Sequence, residues 1–173
     1  MNNTKIKIGV LGGSFDPAHK GHLAISKEAK KRFKLKKVIW AITKKNPFKI
    51  KSKTSVADRI KYCKKTIGTN SFIKVKFYEK IIKSNKTINL INHLKKDKNI
   101  EIYFLMGADN LINFHKWHKS KLISQKCNIL VFDRHGYKKN SLKSKTFKQL
   151  SKANLEFIEF NKVNISSSQL RKI

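Results

Sequence analysis

The sequence predicts an α/β fold: one domain, residues 1–173, built on a parallel sheet covered by helices on both faces. Two observations predict it. Short runs rich in β-branched and aromatic residues alternate with stretches whose apolar residues recur at helical spacing, from one end of the chain to the other. Several of the strand-like runs, IEIYFLMG above all, are mostly apolar, as strands are when both faces are buried. A chain of 173 residues is long enough to bury one substantial core and falls in the usual single-domain range of ~100–200.

The elements follow in order. IKIGVL (Ile6–Leu11) reads as the first strand and HLAISKEAKKRF (His22–Phe33) as the helix after it. KVIWAI (Lys37–Ile42) is the second strand, and KKNPFKIKSK a loop broken by Pro47. TSVADRIKYCKKTIG has a cap residue at Thr54 or Ser55, an early Asp58 and a stop at Gly68, so it reads as a helix. FIKVKF (Phe72–Phe77) alternates with period two. TINLINHLKK is helical, Ile100–Gly107 a strand, and NLINFHKWHKSKLISQ helical in one or two pieces. NILVF (Asn128–Phe132) and LEFIEF (Leu155–Phe160) are strands joined by a polar loop. This is the alternation of a Rossmann-like, doubly wound sheet. Such a sheet binds ligands beyond the carboxyl ends of its strands, where the strand order reverses. GGSFDPAHKGH, directly after the first strand, should lie there.

Composition narrows the function classes. No apolar run approaches the ~18 residues of a membrane span, and MNNTKIKIGVL lacks the long apolar stretch of a secretory leader. The expectation is a soluble, cytoplasmic chain. Cys63 and Cys127 have no metal-ligand spacing and sit among apolar neighbours, so they read as reduced core thiols. The formal charge of +31 raises the question of a nucleic-acid partner. The basic residues are 37 Lys against four Arg, spread over nearly every segment. Base readers and phosphate clamps favour Arg, so a solvated basic surface is expected and a nucleic acid is not. A basic nucleic-acid-binding module is kept as the alternative of a different class. The sequence leaves a homo-oligomer open.

The informative stretch is Gly12–His22, with two histidines three residues apart. A structural zinc would need further ligands, and the remaining histidines form no such pattern. A nucleophile elbow would need G-x-S-x-G, whereas Ser14 stands in GGSF. Neither G-x-G-x-x-G nor the P-loop is present. A phosphate site fits better. Gly12 and Gly13 let backbone approach a ligand, Pro17 stiffens the turn, and the helix start offers N–H groups and a positive dipole end. His19 and His22 lie on one side of the first turn and can face an anion together. The plainer reading is a pair of capping or buried histidines.

GGSFDPAHKGH resembles the signature of the HxGH nucleotidyltransferases, GG-[ST]-FDP-x-H-x-GH. Further motifs follow in the order of the nicotinate-mononucleotide branch of that superfamily: NPFK (Asn46–Lys49), GADNLINFHKW (Gly107–Trp117), DRHGY (Asp133–Tyr137) and ISSSQLR (Ile165–Arg171). Phe48 and His135 stand where the family has His and Pro, and the family usually continues into a further helix beyond the closing motif. The resemblance implies adenylyl transfer from ATP to nicotinate mononucleotide, giving nicotinate adenine dinucleotide and pyrophosphate in NAD biosynthesis. Nicotinamide mononucleotide and pantetheine phosphate are the alternative acceptors within the superfamily.

The resemblance also implies roles. His19, His22 and Arg171 would be catalytic. Gly12, Gly13, Ser14, Phe15, His19, His22, Gly107, Asp109, Ser166, Ser167 and Arg171 would bind ATP, with Asp109 on ribose hydroxyls and Arg171 on the β- and γ-phosphates. Lys49, Thr87, Trp117 and Arg134 would hold the mononucleotide, Trp117 by stacking on the pyridine ring. Mg²⁺ would be carried mainly by the ATP phosphates, with no protein metal site. By chemistry alone Ser166-x-x-Gln169 is a capping box, Asp109 a cap and Trp117 a core residue.

Overall fold

The computed structural model describes residues 3–45, 54–134, 136–150 and 154–159. Among these, six strands form one sheet: β1 Ile6–Gly13, β2 Lys37–Ile42, β3 Ile73–Lys76, β4 Ile100–Gly107, β5 Asn128–Phe132 and β6 Leu155–Ile158. The helices are α1 Lys20–Phe33, α2 Val56–Ile67, α3 Glu79–Ile82, α4 Thr87–Leu94, α5 Ala108–Leu111, α6 Ser120–Lys126, α7 Lys138–Lys143 and α8 Lys145–Leu150, with a 3₁₀ turn at Phe114–Lys116. Every strand pairing is parallel, and the spatial order is β3-β2-β1-β4-β5-β6. The expected doubly wound α/β sheet is therefore present.

Alternating side chains divide the core in two, because successive residues of a strand face opposite sides. Val10, Ile39 and Phe104 face one layer with Ile88, Ile91, Leu111 and Ile123 of α4, α5 and α6. Leu11, Trp40 and Leu105 face the other, with Ala29 of α1 and Cys63 and Ile67 of α2. Both cysteines are buried and unpaired, and burial pushes each thiol up to about 12.

Most elements stand where the apolar runs put them. Three differ. β1 continues two residues further, through Gly12 and Gly13, which lie in register with Ala41 and Ile42 of β2. The helical stretch after Gly107 is broken into α5, the 3₁₀ turn and α6. The polar loop expected between β5 and β6 contains α7 and α8, two short helices anchored by Ser141, Thr146 and Leu150, all buried. Their sequence is too polar and too short to signal a helix; packing supplies what propensity does not.

β1 and β4 are neighbours at the centre, with β2 on one flank and β5 on the other. The strand order reverses between them. The carboxyl ends of β1, β4 and β5, at Gly13, Gly107 and Phe132, therefore open onto one crevice, and each is followed by a segment singled out in the sequence.

Candidate active site

The first wall of the crevice runs from Gly13 to His22. Phe15 adopts a left-handed backbone, φ 48°, which costs a non-glycine residue energy. The turn drives its ring into the core at 1 % exposure, stacked on Trp40 with centroids 5.0 Å apart and planes at 17°. Phe15 also packs on His22, at 4.7 Å. The indole of Trp40 donates to Ser26 Oγ at 2.8 Å, and that hydroxyl donates to the His22 carbonyl at 2.8 Å. An aromatic block from β2 thus supports the first turn of α1 from beneath.

His19 is the N-cap of α1. Its Nδ1 accepts from the Gly21 N–H at 3.0 Å, and His22 Nδ1 accepts from the His19 N–H at 3.1 Å. The rings lie 3.9 Å apart. This reciprocal cap is the capping box built with imidazoles instead of Ser and Glu. The plain capping reading of the pair is correct, and it carries a chemical consequence. An Nδ1 that accepts carries no proton, so in each neutral ring the proton is on Nε2. The cap fixes the tautomer, leaving Nε2–H as the donor of both rings.

Gly12 and Gly13 are not demanded by packing. A Cβ built on Gly12 would come no nearer than 3.6 Å to Phe104, and one on Gly13 no nearer than 3.5 Å to Phe15, both ordinary contacts. Gly107 differs: a Cβ there would lie 2.6 Å from Asp109 Oδ1. The carboxylate folds back over the end of β4, and only glycine lets it.

Asp109 and Arg134 form the second wall. Arg134 Nη1 donates to Asp109 Oδ2 at 2.6 Å, with the side chains 31 % and 15 % exposed. Asp109 Oδ1 is buried and has no hydrogen-bond partner among the described residues. Asp109 does not cap α5, whose N-cap Gly107 makes no side-chain bond. Trp117 meets Phe104 edge-on at 6.0 Å and Phe114 at 5.1 Å, half-buried against the core. Thr87 opens α4, in the crossover from β3 to β4. The structure thus brings Gly12, Gly13, Ser14, Phe15, His19, His22, Gly107, Asp109 and Arg134 to the carboxyl edge of the sheet. Lys49, Ser166, Ser167 and Arg171 lie outside the described residues.

One residue was missed. Arg59 of α2 is 2 % exposed and donates from Nη1 to the carbonyls of Ser14, 2.7 Å, and Thr43, 2.8 Å, and from Nη2 to that of Lys44, 3.2 Å. The signal was there: one of four arginines among 41 basic residues, spaced with Cys63 and Ile67 on the buried stripe of its helix.

A cytidylyltransferase-like family model matches residues 10–173. A Pelagibacter ubique protein named "Probable nicotinate-nucleotide adenylyltransferase" is 68 % identical over 173 residues, 100 % of this chain and 96 % of that protein. The chain belongs to the nicotinate-nucleotide adenylyltransferases. An adenylyltransferase of the same name from Agrobacterium fabrum is 34 % identical over 86 % of this chain and 80 % of its own length. Among solved structures, the Plasmodium falciparum nicotinic acid mononucleotide adenylyltransferase, complexed with NaAD, superposes with a TM-score of 0.76 at 21 % identity. The match covers 96 % of this chain and 82 % of that one. The sheet described above is thus the fold of this adenylyltransferase family.

Proposed function

We infer that the chain transfers the adenylyl group of ATP to nicotinate mononucleotide, releasing pyrophosphate and forming nicotinate adenine dinucleotide, a step of NAD biosynthesis. The observation that carries the chemistry is the reciprocal cap of His19 and His22 at the switch point of the sheet. The acceptor rests on the 68 % identical relative.

The phosphate of the mononucleotide attacks the α-phosphorus of ATP in line. The P–O bond to the leaving pyrophosphate breaks as the new P–O bond forms. The attacking oxygen is already anionic, so no general base is required. The work is positioning and charge stabilisation. His19 and His22, each held as the Nε2–H tautomer, donate to α- and β-phosphate oxygens as charge moves to pyrophosphate. Gly12 and Gly13 leave backbone open to the triphosphate, and Ser14 and Phe15 carry that loop. Asp109 Oδ1 accepts from ribose. Ser166, Ser167 and Arg171 hold the outer phosphates. Lys49, Thr87, Trp117 and Arg134 hold the acceptor.

Among the described residues no group of three or more His, Cys, Asp or Glu could cage a metal ion. Mg²⁺, held by phosphate oxygens and water, would neutralise phosphate charge. A cytoplasmic setting, a homo-oligomer left open and no nucleic-acid partner complete the reading. No described helix is long and apolar enough to cross a membrane.

The test is pyrophosphate release by purified protein with ATP, Mg²⁺ and a panel of phosphorylated acceptors. Release should depend on nicotinate mononucleotide. Release with pantetheine phosphate alone would overturn the acceptor, and none with any acceptor would overturn the activity.

A further inference from the structure

We propose that Arg59 is a positioning residue that clamps the loop after β1 to the loop after β2, so that the two sides of the reaction are set by one buried cation. Nη1 of Arg59 is shared between the Ser14 carbonyl on the first loop and the Thr43 carbonyl on the second, and Nη2 takes the Lys44 carbonyl. The same two loops are tied directly by the Thr43 N–H, which donates to the Gly13 carbonyl at 2.8 Å. Glu79 adds a contact from α3, its Oε2 accepting from the Lys44 N–H at 3.2 Å. The hub is costly. Desolvation lowers the pKa of Arg59, opposed by the charges of Asp16 and Glu79, and desolvation raises that of Glu79. A chain with 37 lysines has placed one of its four arginines here.

The geometry explains the choice. Three carbonyls on two loops need a fork. A lysine nitrogen would stand where the guanidinium carbon is, one bond short of Nη1. The first loop leads into the His19–His22 cap. The second begins the segment that runs on in sequence to Lys49. One residue touching no reacting atom therefore orients the phosphate donors and the start of the acceptor segment together. This kinetic consequence rests on the adenylyl-transfer reading; the clamp itself does not.

The experiment compares Arg59→Lys, Arg59→Met and, as a control for lost stability, Cys63→Ala one turn along the same buried stripe. Amide hydrogen exchange is read at Thr43 and across residues 13–16, with the core of β4 as reference, under conditions where each variant is folded. Arg59→Lys keeps the charge beside Asp16 and Glu79, so it should fold even if Arg59→Met does not. Both Arg59 variants should exchange about tenfold faster at Thr43 while β4 is unchanged. Both should also raise KM for ATP and for the mononucleotide together and lower kcat, whereas Cys63→Ala should leave both KM values at the wild-type level. Arg59→Lys with wild-type exchange at Thr43 and wild-type KM values overturns the clamp. So does a Cys63→Ala protein showing the same changes, because Arg59 would then act only through stability. If the wild type makes no dinucleotide, the adenylyl-transfer reading fails, and exchange at Thr43 alone decides the clamp.

Discussion

The two walls of the crevice are held in different ways. On the β1 side, His19 and His22 sit on a buried frame: the Phe15–Trp40 stack, the Trp40–Ser26–His22 hydrogen-bond chain and the guanidinium of Arg59. On the β4–β5 side, Asp109 and Arg134 are held by one partly exposed ion pair at the mouth of a four-residue helix. A buried frame does not trade partners with solvent or ligand, whereas a partly exposed carboxylate–guanidinium pair can. In the proposed reaction the first wall would present fixed donors to the reacting phosphate. In the same reading the second would offer groups able to turn from each other to a bound ribose or acceptor at modest cost.

The sharpest way to break this contrast is His22→Ala. Removing one fixed donor from a developing oxyanion should lower kcat by about 10²–10³. The same change opens the reciprocal cap, at a stability cost of about 1 kcal/mol that leaves the protein folded. Steady-state kinetics and a thermal melt read the two effects separately; an active His22→Ala enzyme would remove the phosphate role from this wall.

Gly107→Ala tests the second wall. The added methyl cannot coexist with Asp109 Oδ1 at 2.6 Å, so the carboxylate must move. ATP affinity should fall by about 1.5–3 kcal/mol, the worth of a charge-assisted hydrogen bond, with kcat less affected than in His22→Ala. Isothermal titration with a non-hydrolysable ATP analogue measures it. Unchanged affinity would mean that Asp109 does not reach the ribose.

A smaller effect concerns the acceptor. Stacking on Trp117 would serve nicotinate and nicotinamide rings alike, whereas charge distinguishes a carboxylate from a carboxamide. One charge-assisted bond gives at least about tenfold, or ~1.4 kcal/mol, in favour of nicotinate mononucleotide. The ratio of kcat/KM for the two acceptors at fixed ATP is the measurement, and equal values would remove the nicotinate preference.

The last contrast is in stability, where the second wall should show the smallest effect. Arg134→Ala should cost at most about 0.5–1 kcal/mol, because its pair with Asp109 is partly exposed and screened. Trp40→Phe, which removes the indole donor to Ser26 Oγ and part of a fully buried side chain, should cost more, about 1–3 kcal/mol. Chemical denaturation of the two variants gives the order. The reverse order would mean that the second wall is the rigid one.

Much of this was legible in the sequence. The runs Lys37–Ile42, Ile100–Gly107 and Asn128–Phe132 are strands over the residues their apolar character marks. Ser55 caps α2 and Gly68 ends it, because cap chemistry is local. Gly12–His22 announced its own importance, since its residue types are uncommon in that order. The sequence by itself determined the fold class and the alternation of elements, because the apolar patterns that mark them repeat within a turn or two. Only the tertiary structure decided the strand order that opens the crevice between β1 and β4. It alone turned polar residues 138–150 into two helices by burying Ser141, Thr146 and Leu150. It alone brought Arg59 to carbonyls 45 and 16 residues away. It also showed that the two histidines cap the start of α1 reciprocally. These outcomes depend on which distant surfaces are buried together, and a buried polar group must find its partners wherever packing has left them.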